Sequence, residues 1–187
     1  MGPDCGREGL GGRVARRPLT WARTCRDGLW EAHTYRLVGA LTGQEGTVLS
    51  DAFNAVGRLL ASGGADSLIK VWDVASGDCH LTLQGHDNEV VADVFHPTEP
   101  RIASGGRDRL VRLWDAATGE ELVRLPGHSD YVYSLAFGPD GRAVATCCID
   151  GTAQLWSAAT GRPLGPPGGR ERAYPCRWCS ARTGGPS

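Results

Sequence analysis

No stretch of the 187-residue chain approaches the roughly 20 consecutive apolar residues that a bilayer-crossing helix needs. The N-terminal segment has no apolar core, so it carries no visible secretory signal. The chain begins Met1-Gly2, but Gly6 stands where a myristoylation motif requires Ser or Thr. Aromatic residues are scarce at 7%, compatible with a globular core but not an aromatic-rich one. The seven cysteines, at 5, 25, 79, 147, 148, 176 and 179, are odd in number and follow no disulfide framework. These absences lead us to expect a reducing, cytoplasmic setting without membrane contact.

Net positive charge is missing from the middle of the chain. Residues 27–169 carry nine Arg and one Lys against eighteen acids, whereas 1–26 and 170–187 are net positive. An acidic body is poorly suited to a phosphate backbone, which calls for clustered Lys and Arg, so no nucleic-acid partner is expected. The basic ends are expected to be solvated, disordered tails over 1–26 and 169–187. The 27 glycines and 11 prolines follow no collagen-like period and form no low-complexity run, which points to frequent turns.

What the chain does contain is a repeat. Trp30, Trp72, Trp114 and Trp156 lie 42 residues apart, and all three phenylalanines, Phe53, Phe95 and Phe137, keep the same step. Val48, Val90 and Val132 do so too, as do Gly43, Gly85, Gly127 and Gly169. Within one unit, residues 132–137 alternate like a strand and meet a tight turn at Gly138-Pro139-Asp140-Gly141. Further strands are expected over 142–146 and 153–156, and the preceding unit supplies a fourth at 121–125. Four strands in 42 residues leave no room for helices, so each repeat predicts one small antiparallel sheet that must stack on its neighbours.

Gly85-His86 and Gly127-His128 open their repeats, and Trp72-Asp73 and Trp114-Asp115 close theirs. In these features the chain resembles the WD-repeat β-propellers, over roughly residues 28 to 165. Gly43-Gln44, Trp156-Ser157 and Trp30-Glu31 depart from the pattern. The resemblance implies an all-β, partial propeller: three four-stranded antiparallel blades at 45–86, 87–128 and 129–168, with a remnant of a fourth at 27–44. Pro163, Pro166 and Pro167 are expected to interrupt the last fourth strand. Family members most often close a ring of seven blades, which would take about 290 residues of this repeat. The chain is therefore expected to be a fragment or variant of a longer propeller protein, inclined to associate with further blades or with itself.

His86, Ser104, Asp108 and Trp114 recur as His128, Thr146, Asp150 and Trp156, and the first blade offers Gln44, Ser62, Asp66 and Trp72. His, Ser and Asp together invite a hydrolase reading of His86, Ser104 and Asp108, because a nucleophile needs a base and the base an orienting carboxylate. A catalytic set would occur once, however, and would not require a Trp. The resemblance implies a buried hydrogen-bond chain from Trp to Ser or Thr to His to Asp, so no enzyme activity is expected. Gln44 can donate and accept, standing in for the imidazole.

The resemblance also implies a protein or peptide partner held across one face. The positions it marks are Thr47, Leu49 and Ala65, then Glu89, Val91 and Arg107, then Tyr131, Tyr133 and Ile149. Tyr and Arg are well suited to such contacts. The family's cullin-ligase receptors often carry Arg two residues after the Trp-Asp aspartate; here Ala75, Ala117 and Ala159 stand there. Cys176 and Cys179 form one CxxC with no second pair at zinc-finger spacing, and they read as tail cysteines. Cys147 and Cys148 occupy positions that are Gly in the sister repeats and read as strand residues. No cofactor or metal is expected.

Overall fold

The alternating segments become thirteen strands among the residues described by the computed structural model, which are 26–31 and 36–168. Strands β1 (Arg26–Glu31) and β2 (Arg36–Thr42) form a two-stranded sheet. Strands β3 (Val48–Phe53), β4 (Leu59–Gly64), β5 (Ile69–Asp73) and β6 (Cys79–Leu83) form the first complete blade. The second comprises β7 (Val90–Phe95), β8 (Arg101–Gly106), β9 (Val111–Asp115) and β10 (Glu121–Leu125). In the third, β11 (Val132–Phe137), β12 (Ala143–Cys148) and β13 (Ala153–Ser157) are continuous strands. Every hydrogen-bonded neighbour is antiparallel and next in sequence. The fourth place in the third blade is taken by two bridges only, Trp156 to Pro163 and Ala153 to Gly168. Proline has no N–H for the ladder, so the segment that holds Pro163, Pro166 and Pro167 cannot pair continuously.

The expected tails lie outside the described residues apart from Arg26, and Cys176 and Cys179 lie there with them. Among the described residues, no helix is long and apolar enough to cross a membrane.

The sheets stack face to face. β3 packs on β7 and β7 on β11, with β4 and β8 closing the same seams. The apolar interior is accordingly divided among the seams, with one tryptophan in each. Trp72 sits with Leu41, Leu60 and Val74 between the two-stranded sheet and the first blade. Trp114 joins Ile69, Val71, Leu83 and Ile102 between the first and second blades. Trp156 joins Leu113, Leu125, Val132 and Val144 between the second and third. In the second and third blades the glycine that opens the repeat gives the indole its space: a Cβ on Gly85 would lie 2.9 Å from Cη2 of Trp114, and one on Gly127 would lie 3.1 Å from that of Trp156.

Each inner strand also breaks register at the same place, between Val48 and Ser50, Val90 and Ala92, and Val132 and Ser134. These bulges leave Leu49, Val91 and Tyr133 as extra residues, and bulges commonly re-aim a side chain out of the ladder.

Equivalent residues do not carry equal weight in such a stack. Leu113 is 1% exposed in the seam between two blades, whereas Leu155, one repeat later, is 47% exposed. Truncating a buried Leu costs about 2–5 kcal/mol, whereas exposed substitutions usually stay within about 0.5 kcal/mol. Urea denaturation should therefore show a large loss for Leu113→Ala and a small one for Leu155→Ala. Equal losses would contradict this seam assignment.

Candidate functional site

The hydrogen-bond chains can be followed atom by atom. In the second blade, Trp114 Nε1 donates to Ser104 Oγ at 2.8 Å, and that oxygen lies 2.8 Å from His86 Nε2. His86 Nδ1 lies 2.8 Å from Asp108 Oδ2. An ionised carboxylate only accepts, so Nδ1–H donates to Asp108. Asp108 further accepts the Leu110 and Asp87 amides at 3.2 and 3.3 Å, fixing the turn that carries it. Burial opposes ionisation of Asp108, but the His86 bond and these amides outweigh it and hold its carboxyl below the ordinary value.

The first blade reproduces the chain with an amide. Trp72 Nε1 donates to Ser62 Oγ at 2.8 Å, and Ser62 donates to Gln44 Oε1 at 2.7 Å. Gln44 Nε2 then donates to Asp66 Oδ1 at 3.1 Å.

The third blade departs from the expected chain. Trp156 donates to Thr146 Oγ1 at 2.9 Å, and His128 Nε2 lies 2.6 Å from the same oxygen. The expected bond from His128 to Asp150 is not made. Asp150 instead accepts from the Ser129 and Thr152 hydroxyls at 2.5 and 2.6 Å. Cys148 stands where the sister blades have glycine, and its sulfur lies within 4.8 Å of ligand atoms of both His128 and Asp150. Burial lowers the His128 pKa, and the Asp150 charge offsets this only in part.

Ser104 has no exposed surface, and its hydroxyl is engaged by both Trp114 and His86. A substrate carbonyl has no approach to it, which argues against the hydrolase reading. The aspartates of the two Trp-Asp pairs serve elsewhere. Asp73 accepts the Ala75 and Ser76 amides at 2.9 and 3.1 Å, and Asp115 accepts those of Ala117 and Thr118 at 2.7 and 3.0 Å. These bonds hold both carboxyls below the ordinary value. Ser157 keeps a weaker form of the device, accepting the Thr160 amide at 3.4 Å.

The expected partner-binding residues meet at one end of the blades. Ala65 N donates to Thr47 O, Arg107 N to Glu89 O and Ile149 N to Tyr131 O, at 2.9, 2.9 and 3.0 Å. Arg107 pairs with Glu89 at 3.2 Å and places its guanidinium 5.5 Å from the centre of the Tyr131 ring, bridging the second and third blades. Tyr131 and Ile149 are exposed, whereas Leu49, Val91 and Tyr133 are half-buried at their bulges. Thr47 and Ala65 are exposed in the first blade.

Two features were not read from the sequence. Arg112 is buried beside the second chain, with Nη2 3.8 Å from Asp108 and Nη1 paired with Glu121. Its repeat equivalents are Lys70 and Gln154, so no shared residue type marked it. The other is the gathering of His128, Cys148 and Asp150, each offering one ligand atom within 4.8 Å of the other two. The replacement of glycine by Cys148 was its signal.

Comparison with known proteins agrees with the repeat frame. The family described as "WD domain, G-beta repeat" matches residues 35–73, 77–115 and 119–157. The chain is similar to Periodic tryptophan protein 2 homolog of Schizosaccharomyces pombe, with 44% identity over 48 residues, covering 26% of this chain and 6% of that protein. Protein tipD of Dictyostelium discoideum is 50% identical over 42 residues, covering 22% of this chain and 7% of its own. Eukaryotic translation initiation factor 3 subunit I of Mycosarcoma maydis is 36% identical over 53 residues, covering 28% and 15%. The matched segments are thus a small part of each relative's length.

Two measurements check the chains. Ser104→Ala orphans the Trp114 N–H and the His86 ring together, and at about 1–3 kcal/mol per buried unpaired group it should cost about 2–6 kcal/mol in urea denaturation. A loss below about 0.5 kcal/mol would mean that water replaces the hydroxyl. The second measurement is the pH dependence of melting. A folded-state pKa below the unfolded value means that the unfolded chain binds more protons between the two. For His128 the stability is therefore present above its ordinary value of 6.5 and is lost as pH falls through the folded pKa. Asp108 and Asp150 add a loss of the same sign below their ordinary 3.8. Between pH 7 and 5 the melting temperature should fall, and His128→Gln, which copies Gln44, should flatten that fall. An unchanged slope would remove His128 from the account.

Proposed function

The chain belongs to the WD40-repeat family, and from that premise we propose that it is an interaction scaffold holding a protein or peptide partner. The docking surface is the end of the second and third blades that carries Glu89, Arg107, Tyr131 and Ile149. One observation carries this assignment: Arg107 stands over the exposed Tyr131 ring while paired with Glu89, which joins two blades into one recognition surface. Tyr131 supplies a large amphipathic contact and Ile149 an apolar one. Arg107 supplies a fork of donors for a partner carboxylate or carbonyl. Val91 and Tyr133, at their bulges, line the inner side of this surface, and Thr47 and Leu49 extend it along the first blade. The buried chains serve it from beneath, since Asp108 and Asp150 fix the turns on either side of Arg107 and Ile149.

A second reading concerns association rather than capture. The apolar side chain of Leu155 is exposed where Val71 and Leu113 are buried by the next blade. This face supports association with further propeller blades, in a second copy or in a larger protein of which these repeats are a part. Under that reading the repeats have no independent role.

Affinity capture followed by mass spectrometry separates the readings. Proteins retained by the parent chain should be lost with Tyr131→Ala and Arg107→Ala, and kept with Asp78→Ala in an exposed turn at the opposite blade end. Retention of the same proteins by all variants would overturn the assignment of this surface. Light scattering at several concentrations would report self-association through the Leu155 face, which Leu155→Glu should abolish.

A further inference from the structure

Residues 64, 106 and 148 are equivalent, and only the third is not glycine. Neither of the first two blades has room for a side chain there. A Cβ on Gly64 would lie 2.5 Å from Gln44 Nε2 and 2.7 Å from Asp66 Oδ1. One on Gly106 would lie 2.7 Å from the Glu89 carbonyl, 3.1 Å from Asp108 Oδ1 and 3.3 Å from His86 Nδ1. A residue with a side chain at this position therefore inserts between the two groups that the chain would otherwise join. Cys148 does so. It is buried, its sulfur lies within 4.8 Å of ligand atoms of both His128 and Asp150, and Asp150 bonds Ser129 and Thr152 in place of His128.

The consequence is a set of donors facing one another. Thr146 Oγ1 donates to the Gln154 carbonyl at 3.2 Å, so it accepts from both Trp156 and His128 Nε2. His128 Nδ1 is then left with a lone pair, on the ring edge that in the second blade faces the carboxylate. The ligand atoms of His128, Cys148 and Asp150 lie within 4.8 Å of one another. We propose that the third-blade chain has become a binding site for a zinc-class divalent ion, ligated by His128 Nδ1, Cys148 Sγ and an Asp150 carboxylate oxygen. With Zn–N near 2.0 Å and Zn–S near 2.3 Å, tetrahedral ligands sit about 3.3–3.8 Å apart, so the three close on the ion by about 1 Å. Solvent supplies the fourth ligand from the exposed side at Ser129.

The protonation states favour this set. His128 is held toward its neutral form and Asp150 toward its charged form. Burial raises the Cys148 thiol pKa, so the ion displaces the S–H proton, which leaves to solvent. One proton is released for each ion bound, and the sulfur keeps its oxidation state. A thiolate with an imidazole suits zinc over magnesium or calcium.

The test is cobalt titration of the full chain after chelator treatment. Bound cobalt should give a thiolate-to-metal band in the near ultraviolet together with visible d–d bands, and one equivalent of zinc should erase both. Cys148→Gly, which restores the sister residue, should lose these bands while keeping a cooperative melt. Cys176→Ser/Cys179→Ser should retain them. The proposal is overturned if the parent chain gives no thiolate band, if the band survives Cys148→Gly, or if it vanishes with the tail pair. Zinc should also raise the melting temperature of the parent chain and leave that of Cys148→Gly unmoved.

Discussion

The indole N–H of a buried tryptophan needs an acceptor, and in a seam between two sheets a neighbouring strand supplies it. Trp72, Trp114 and Trp156 are each 4% exposed or less and provide the largest side chain of their seam. Each finds its acceptor in a hydroxyl on the adjacent strand, Ser62, Ser104 or Thr146. That hydroxyl then needs its own partner, and the need passes to Gln44, His86 or His128 in the loop that enters the next strand set. Left unpaired, each buried link would cost about 1–3 kcal/mol. The chains are conditions for burying the indoles rather than additions to a finished core.

This constraint also explains why the proposed docking surface has a defined shape. The imidazole or amide sits in the loop before each inner strand, and the carboxylate sits in the turn that faces it. In the first two blades, joining them adds a side-chain tie to the single backbone bond that links these two irregular segments. In the second blade the tie is extended by buried Arg112, which lies between Asp108 and Glu121. Arg107 is carried on that turn, one residue before Asp108. The acid–base character of the set thus serves to place the side chains above it, as the burial of Ser104 already suggests.

The 42-residue lattice made the three seams legible in the sequence, because Trp72, Trp114 and Trp156 recur where each seam buries an indole. The interrupted outer strand was legible for a local reason, the missing N–H of Pro163. The bulges were not, since Leu49, Val91 and Tyr133 share no residue type and a bulge leaves no mark but register. Nor was the broken link in the third blade. His128 and Asp150 fit the pattern as residues, and only the crowding that a Cβ would meet at the equivalent Gly64 and Gly106 marks residue 148 as the difference. Arg112 was hidden because the strand position it occupies is filled by Lys70 and Gln154 in the neighbouring blades, where the surroundings differ.

The claim on which the others rest is that each indole proton is consumed by a buried hydroxyl. Hydrogen exchange of the tryptophan indole protons, followed by NMR, addresses it without any substitution. The account predicts that the indole protons of Trp72, Trp114 and Trp156 exchange as slowly as the amides of the strands they pack against, and are released together with them on unfolding. Exchange of these three protons at the rate of a solvent-exposed indole, while the strand amides stay protected, would contradict it.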